Sequence, residues 1–161
     1  MIKFKVIVLI FFFYKNLFSI ELACNFEEVY QNGEIQQGIM LIKDDKLRYQ
    51  YNSKNLYTII RNQEIFFLIE NNNLDNFKKI EKNVKTLTGI QQILNDFPEI
   101  EDEYKIDEIM IRPEMKLNNK YIKKISILSP RLNMSVYFPE CQKQKIPDRY
   151  FFYSPFFQYE E

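Results

Sequence analysis

The chain has 161 residues, enough for one domain with its own core. Its 46% hydrophobic and 27% charged residues place it among globular proteins and exclude the disordered and fibrous classes. Basic and acidic residues balance at 22 each, and with no histidine the chain has no histidine triad, histidine general base or histidine metal site.

The first nineteen residues carry Lys3, Lys5 and Lys15, no acid, and an apolar run from Val6 to Phe13. That is the plan of a signal peptide spanning 1–19, with Ser19, or Ala23 as the later option, as the small residue at the cleavage point. Export to the periplasm follows, and an uncleaved leader anchoring the chain to a membrane is the alternative. Removing these three lysines from the 22 basic residues leaves 19 against 22 acidic, a net charge of −3. A weakly acidic body has no footprint for nucleic acid. Residues 20–161 read as a single domain.

Cys24 follows the leader and Cys141 lies near the far end. In an oxidising compartment two cysteines normally pair, so a disulfide between them is expected. The rival readings are acylation of Cys24 in a lipoprotein box, where Glu21 stands at a position that wants an apolar residue, and two reactive thiols.

A first strand over Asn25 to Gln31 precedes Asn32-Gly33, a pair suited to a hairpin turn. From Gln36 to Ile80 come five apolar bursts: Ile39 to Ile42, Leu47 to Tyr51, Leu56 to Ile60, Ile65 to Ile69 and Leu74 to Ile80. Asp- and Asn-rich breaks separate them, which predicts an antiparallel meander. Alternation puts Leu47, Tyr49 and Tyr51 on one face with Arg48 and Gln50 on the other. The bursts at Ile39 to Ile42 and Ile65 to Ile69 are apolar on both faces, so each should be covered on both sides.

Thr86 to Phe97 has Ile90, Ile93, Leu94 and Phe97 at helical spacing, with Thr88 and Gln91 as a capping box and Pro98 as a stop. Strands are then predicted over Tyr104 to Ile111, Tyr121 to Leu128 and Leu132 to Phe138. Arg112-Pro113 and Ser129-Pro130 mark their turns. The broken alternation of Ile122, Ile125 and Ile127 suggests a bulge or an edge. A last strand is expected at Arg149 to Tyr153, before an aromatic tail.

Nothing here nominates an enzyme or a cofactor. Glycine-rich phosphate loops and nucleophile elbows are absent from the sequence. The neighbouring acids Glu27-Glu28, Asp44-Asp45 and Glu160-Glu161 would point to opposite faces of a strand, and each pair reads as surface.

The order of these motifs resembles the periplasmic outer-membrane lipoprotein carrier (LolA-like) family. The residues that carry the likeness are Phe26, Gly38 with Ile39 to Ile42, the charged Asp44-Asp45 break, Leu47-Arg48-Tyr49-Gln50-Tyr51, the hairpin into Ile65 to Leu68, the later helix, and Phe151-Phe152-Tyr153-Ser154-Pro155. The chain differs in having Asp44-Asp45 where the family has Arg-Pro. The resemblance implies a mainly β fold with one clear helix: a strongly curved antiparallel sheet forming a half-open barrel plugged by that helix. It also implies capture of the acyl chains of lipoproteins or lipids by a monomer. Leu47, Tyr49, Tyr51, Phe67 and Ile69 would line the pocket, or else the opposite face through Phe66 and Leu68. Ile90, Ile93, Leu94 and Phe97 would form the lid. Partners would be an inner-membrane release complex and an outer-membrane acceptor. The alternative is an envelope sensor or structural module that binds peptide or protein without lipid transport.

Overall fold

The structure is a computed structural model that describes residues 21–62, 65–80, 85–96, 99–116 and 122–152. The leader and the end of the aromatic tail, both read above, lie outside these residues. Ten strands follow the chain: β1 (Glu21–Tyr30), β2 (Ile35–Lys43), β3 (Lys46–Tyr51), β4 (Tyr57–Asn62), β5 (Ile65–Glu70) and β6 (Asn73–Ile80) form the first run. A helical piece, α1 (Lys85–Asp96), leads to β7 (Tyr104–Ile106), β8 (Ile109–Met115), β9 (Ile122–Leu128) and β10 (Asn133–Lys143). The strands make one antiparallel sheet in the order β6-β5-β4-β3-β2-β1-β10-β9-β8-β7.

Local chemistry explains the hairpins. Asn32-Gly33 turns the chain between β1 and β2, with Gly33 at φ 83° where glycine carries no Cβ penalty. Asp44 and Asp107, both at φ 53°, make the tight turns after β2 and β7, a conformation aspartate tolerates. Buried Asn71 braces the crossing from β3 to β4: its amide donates to the carbonyls of Tyr51 and Ser53, and its oxygen accepts from Thr58.

The expected half-open barrel plugged by a helix is not what forms. The two meanders, β1 to β6 and β7 to β10, join side by side through β1 and β10, so β6 and β7 end up as opposite, unjoined edges of an open sheet. The twelve residues of α1 extend about 18 Å, while ten strands spaced ~4.8 Å apart are more than twice as broad. A helical piece of that length rests on one flank, against β7 and β8, and cannot plug the whole. Smaller departures have equally local causes. Tyr104 to Ile111 is a hairpin rather than a single strand, because the chain turns at Asp107. Pro113 lies inside β8 opposite Ile125, and it is tolerated there because the short β7 pairs only as far as Ile111. The broken alternation in β9 is a bulge, with Lys123 left over between the Glu114–Lys124 and Met115–Ile122 pairs.

Both faces of β2 are covered, as the doubled apolarity requires. Met40 and Ile42 join the larger cluster on the inner face, while Ile39 and Leu41 on the outer face pack with Ile146 and Phe151. The cover is the segment 144–152, which crosses the outer face as a strap. Its end is a single turn of 3-10 helix (Asp148–Phe151), where a strand was predicted. Pro147 and Asp148 favour that turn over a ladder. Polar ties hold it: Lys43 bridges Glu21 and Asp148 at 3.3 and 2.9 Å and donates to the Ile146 carbonyl, and Glu21 accepts from the Ile146 N–H. Arg48, only 2% exposed, donates to Gln50 and to the Tyr150 carbonyl beneath the strap. Burial pushes its guanidinium down to about 10. The strap therefore covers the outer face around Ala23, Ile39, Leu41 and Arg48.

Candidate functional site

The inner face is built from alternate residues of nearly every strand. Leu47 and Tyr49 of β3, Met40 and Ile42 of β2, Cys24 and Phe26 of β1, and Val136, Ile125 and Ile111 beyond the junction belong to one buried cluster. From α1, Ile90 and Ile93 join it, and Gly89 lets the helix backbone lie close against Ile111 of the sheet. A Cβ there would stand 2.0 Å from the Ile111 Cδ1.

An aromatic group occupies the middle of this face. Gly38 leaves a gap in β2 across which the Phe26 ring lies; a Cβ at that position would stand 2.1 Å from the Gln50 carbonyl oxygen and 2.4 Å from the Phe26 Cζ. Through that gap Phe26 stacks on Tyr49 with ring centroids 3.9 Å apart, and Tyr51 sets its edge against both. Beside them Glu28 is 4% exposed. Its carboxylate accepts from the hydroxyls of Tyr30 (2.7 Å), Tyr49 (2.8 Å) and Tyr51 (2.9 and 3.0 Å). The reading of Glu27-Glu28 as a surface pair thus fails for Glu28. Neighbours on a strand do face opposite ways, and here the second faces the core.

This arrangement shifts the phenols. Burial first, and then the Glu28 carboxylate, raise all three; Tyr30 is pushed up to about 12 from 10.0, and Tyr49 and Tyr51 are likewise raised well above the usual phenol value. The unfolded chain therefore loses these protons first as pH rises. The stability they contribute is complete below pH ~10 and is lost as pH climbs through about 12. In an alkaline titration, the phenolate absorbance of Tyr30, Tyr49 and Tyr51 should appear only together with loss of the β-sheet circular dichroism. Titration of these three phenols near the pH ~10 of a free tyrosine in a folded protein would contradict this.

The residues predicted to line a pocket do not share a face. Leu47, Tyr49 and Tyr51 are inner, but the register runs Arg48 to Ile60 to Phe67, so Phe67 and Ile69 are outer, with Phe66 and Leu68 on the inner side. Phe67 instead meets Phe77 of β6 edge-on at 6.5 Å on the outer face. Of the predicted lid, Ile90 and Ile93 are buried in the inner cluster; Phe97 and the side chain of Leu94 lie outside the described residues. Cys24 and Cys141 form the expected disulfide, 117 residues apart in sequence and directly opposite in the β1–β10 ladder. The chain matches no protein-family model and no curated protein. Among the described residues no group of histidine, cysteine or carboxylate side chains is placed to hold a metal ion.

Sequence reasoning missed the Glu28 group. Its only sequence signal was that Glu28 and Tyr30 fall in phase with Cys24 and Phe26.

Proposed function

We propose that this protein is a non-catalytic carrier that holds acyl chains of lipids or lipoproteins against the inner face of its sheet. The observation that carries this reading is the extent of that face. Apolar side chains continue as one buried cluster from Phe66 on β5 through Leu47, Met40 and Phe26 to Ile125 and Ile111, and α1 packs against β7 and β8. Half-buried Tyr51, Ile59 and Ile80 pack against the edge of this cluster. An acyl chain withdrawn from water there gains ~0.8 kcal/mol for each buried CH₂, before the loss of freedom on binding.

The disulfide supports residence in an oxidising compartment such as the periplasm. Glu21 and Ala23 are built into β1, which favours processing of the leader ahead of Glu21, at Ser19 rather than Ala23. On this reading the partners are a membrane complex that releases lipidated cargo and an acceptor that receives it, and the likeness to the lipoprotein carriers has its functional content in the inner face. Peptide addition at the sheet edge is the weaker reading. The edge strand β6 departs from regular register beside Glu70 and carries Lys78 and Lys79, both of which blunt an edge against pairing.

The test is displacement of a fluorescent polyene fatty acid from purified protein, with native mass spectrometry for co-purified lipid. Ile59→Asp, on the inner rim, should weaken binding roughly tenfold or more, and Phe67→Asp, on the outer face, should leave it within about twofold. Lipid-free protein that binds no probe overturns the proposal. An equal loss in both variants overturns the choice of face.

A further inference from the structure

A cleft of about 310 Å³ lies where two irregularities of the sheet meet, and it is lined by Glu27, Lys116, Lys123, Tyr137, Phe138 and Pro139. On β10, Tyr137 faces Glu27 and Glu140 faces Asn25, so Phe138 and Pro139 together stand opposite Phe26 alone. On β9, Lys123 is the bulged residue, and the β9–β10 ladder ends at the Lys124–Tyr137 pair. Bulges re-aim side chains and terminate pairing, and these two open the sheet at one place.

The charges around the cleft are unequal. Lys116 and Lys123 are exposed and bring two ammonium groups to its lining. Glu27 brings one carboxylate, which accepts from the Gln37 amide at 2.9 Å. Lys124 is held elsewhere, paired with Glu114 at 2.9 Å with its ammonium 5.8 Å from the Tyr137 ring centre. The lining thus has a net charge of +1 over an aromatic floor. Glu27 and Tyr137 point to the outer side, while Phe138, 3% exposed, belongs to the same buried cluster as Phe26 and Tyr49, so it is Phe138 that joins the cleft to the inner face.

Building on the carrier reading, we infer that this cleft receives the anionic headgroup of a single-chain amphiphile, with Lys116 and Lys123 on its carboxylate or phosphate oxygens and the chain passing Phe138 to the inner face. Lysine suits either oxyanion, because its ammonium is a point charge without the planar fork of arginine.

The experiment measures displacement of the same fluorescent fatty acid by palmitate, palmitoyl lysophosphatidic acid and palmityl alcohol. The wild type and the Lys116→Ala/Lys123→Ala double variant are compared at low and high salt. The wild type should bind the anions roughly tenfold more tightly than the alcohol, and salt should narrow the gap. The double variant should lose that preference while its affinity for the alcohol stays unchanged, and Glu27→Gln should strengthen anion binding. Whichever of palmitate and lysophosphatidate binds more tightly names the headgroup as carboxylate or phosphate. Equal binding of anions and alcohol by the wild type overturns the headgroup site and leaves the carrier standing. A preference that survives in the double variant places the anion elsewhere and also overturns it. If none of the three displaces the probe, carrier and headgroup site fall together.

Discussion

Replacing Cys24 and Cys141 with serine should lower the stability of the folded chain by about 4 to 5 kcal/mol, the chain-entropy value for a cross-link that closes a loop of more than a hundred residues. The bridge spans 117 residues and joins directly opposed positions of β1 and β10. That location matters as much as the loop length. Among the described residues the β1–β10 ladder is the one place where the two meanders of the sheet are hydrogen-bonded to each other, and its register slips beside Asn25. A covalent link next to that slip fixes which residues face each other across the junction. Against the 5 to 15 kcal/mol typical of a domain, the loss is about a third or more of the total. Calorimetry should show the melting point falling by roughly 10 to 20 °C. Each single serine variant should match the double, because either removes the same bond, and reduced wild type should melt with them. A double variant with an unchanged denaturant midpoint would show that the bridge contributes nothing to folding.

Much of the sheet is legible in the sequence because hairpins are written locally. The Asp- and Asn-rich breaks between Gln36 and Ile80 coincide with the turns joining β2 to β6, and doubled apolarity in Ile39 to Ile42 correctly announces a strand covered on both sides. What covers it is not written locally. The strap over 144–152 is an irregular segment whose hold on the outer face depends on Lys43, Arg48 and Glu21, each about a hundred residues or more away in sequence. No periodicity signals such a contact, so nothing in the alternation of β3 marks Arg48 and Gln50 as buried, although both are. The half-barrel failed for a related reason: closure depends on which strands sit at the edges, and that follows from the β1–β10 pairing rather than from any strand's own pattern.

The site was less legible than the fold. Grouping Leu47, Tyr49 and Tyr51 on one face needs only alternation within one strand, and it holds. Adding Phe67 and Ile69 to that face needed the register across β4, and one residue of slip moves a whole strand's side chains to the other side. Glu28 was hidden by composition, since an acid beside another acid reads as solvated. Only the spatial approach of three tyrosines, two of them across the Gly38 gap, shows otherwise.

Glu28→Leu should cost about 3 to 5 kcal/mol, the second large effect expected of a single change. The carboxylate is the shared acceptor of three phenols, and removing it strands all three donors at once. Tyr49, 3% exposed, cannot turn to water, so it bears the full desolvation penalty of ~1 to 3 kcal/mol. Tyr30 and Tyr51 are half-buried and recover part of theirs by hydration. A leucine fills most of the volume, which keeps cavity formation from dominating the measurement. The comparison with Tyr49→Phe separates the hydrogen bond from packing. Alone, Tyr49→Phe removes one donor from a carboxylate that keeps two others and should cost about 1 kcal/mol. In the Glu28→Leu background the same change deletes a stranded hydroxyl and should be neutral or stabilising. Urea denaturation of the four proteins should therefore give a coupling of ~1 to 2 kcal/mol between the two positions. Additive losses would mean that the phenol and the carboxylate do not support one another. The tyrosines would then owe their place to ring stacking with Phe26 alone. Coupling of the expected size would make Glu28 the polar tie that orients Tyr49 and Tyr51 on the apolar face proposed to receive acyl chains.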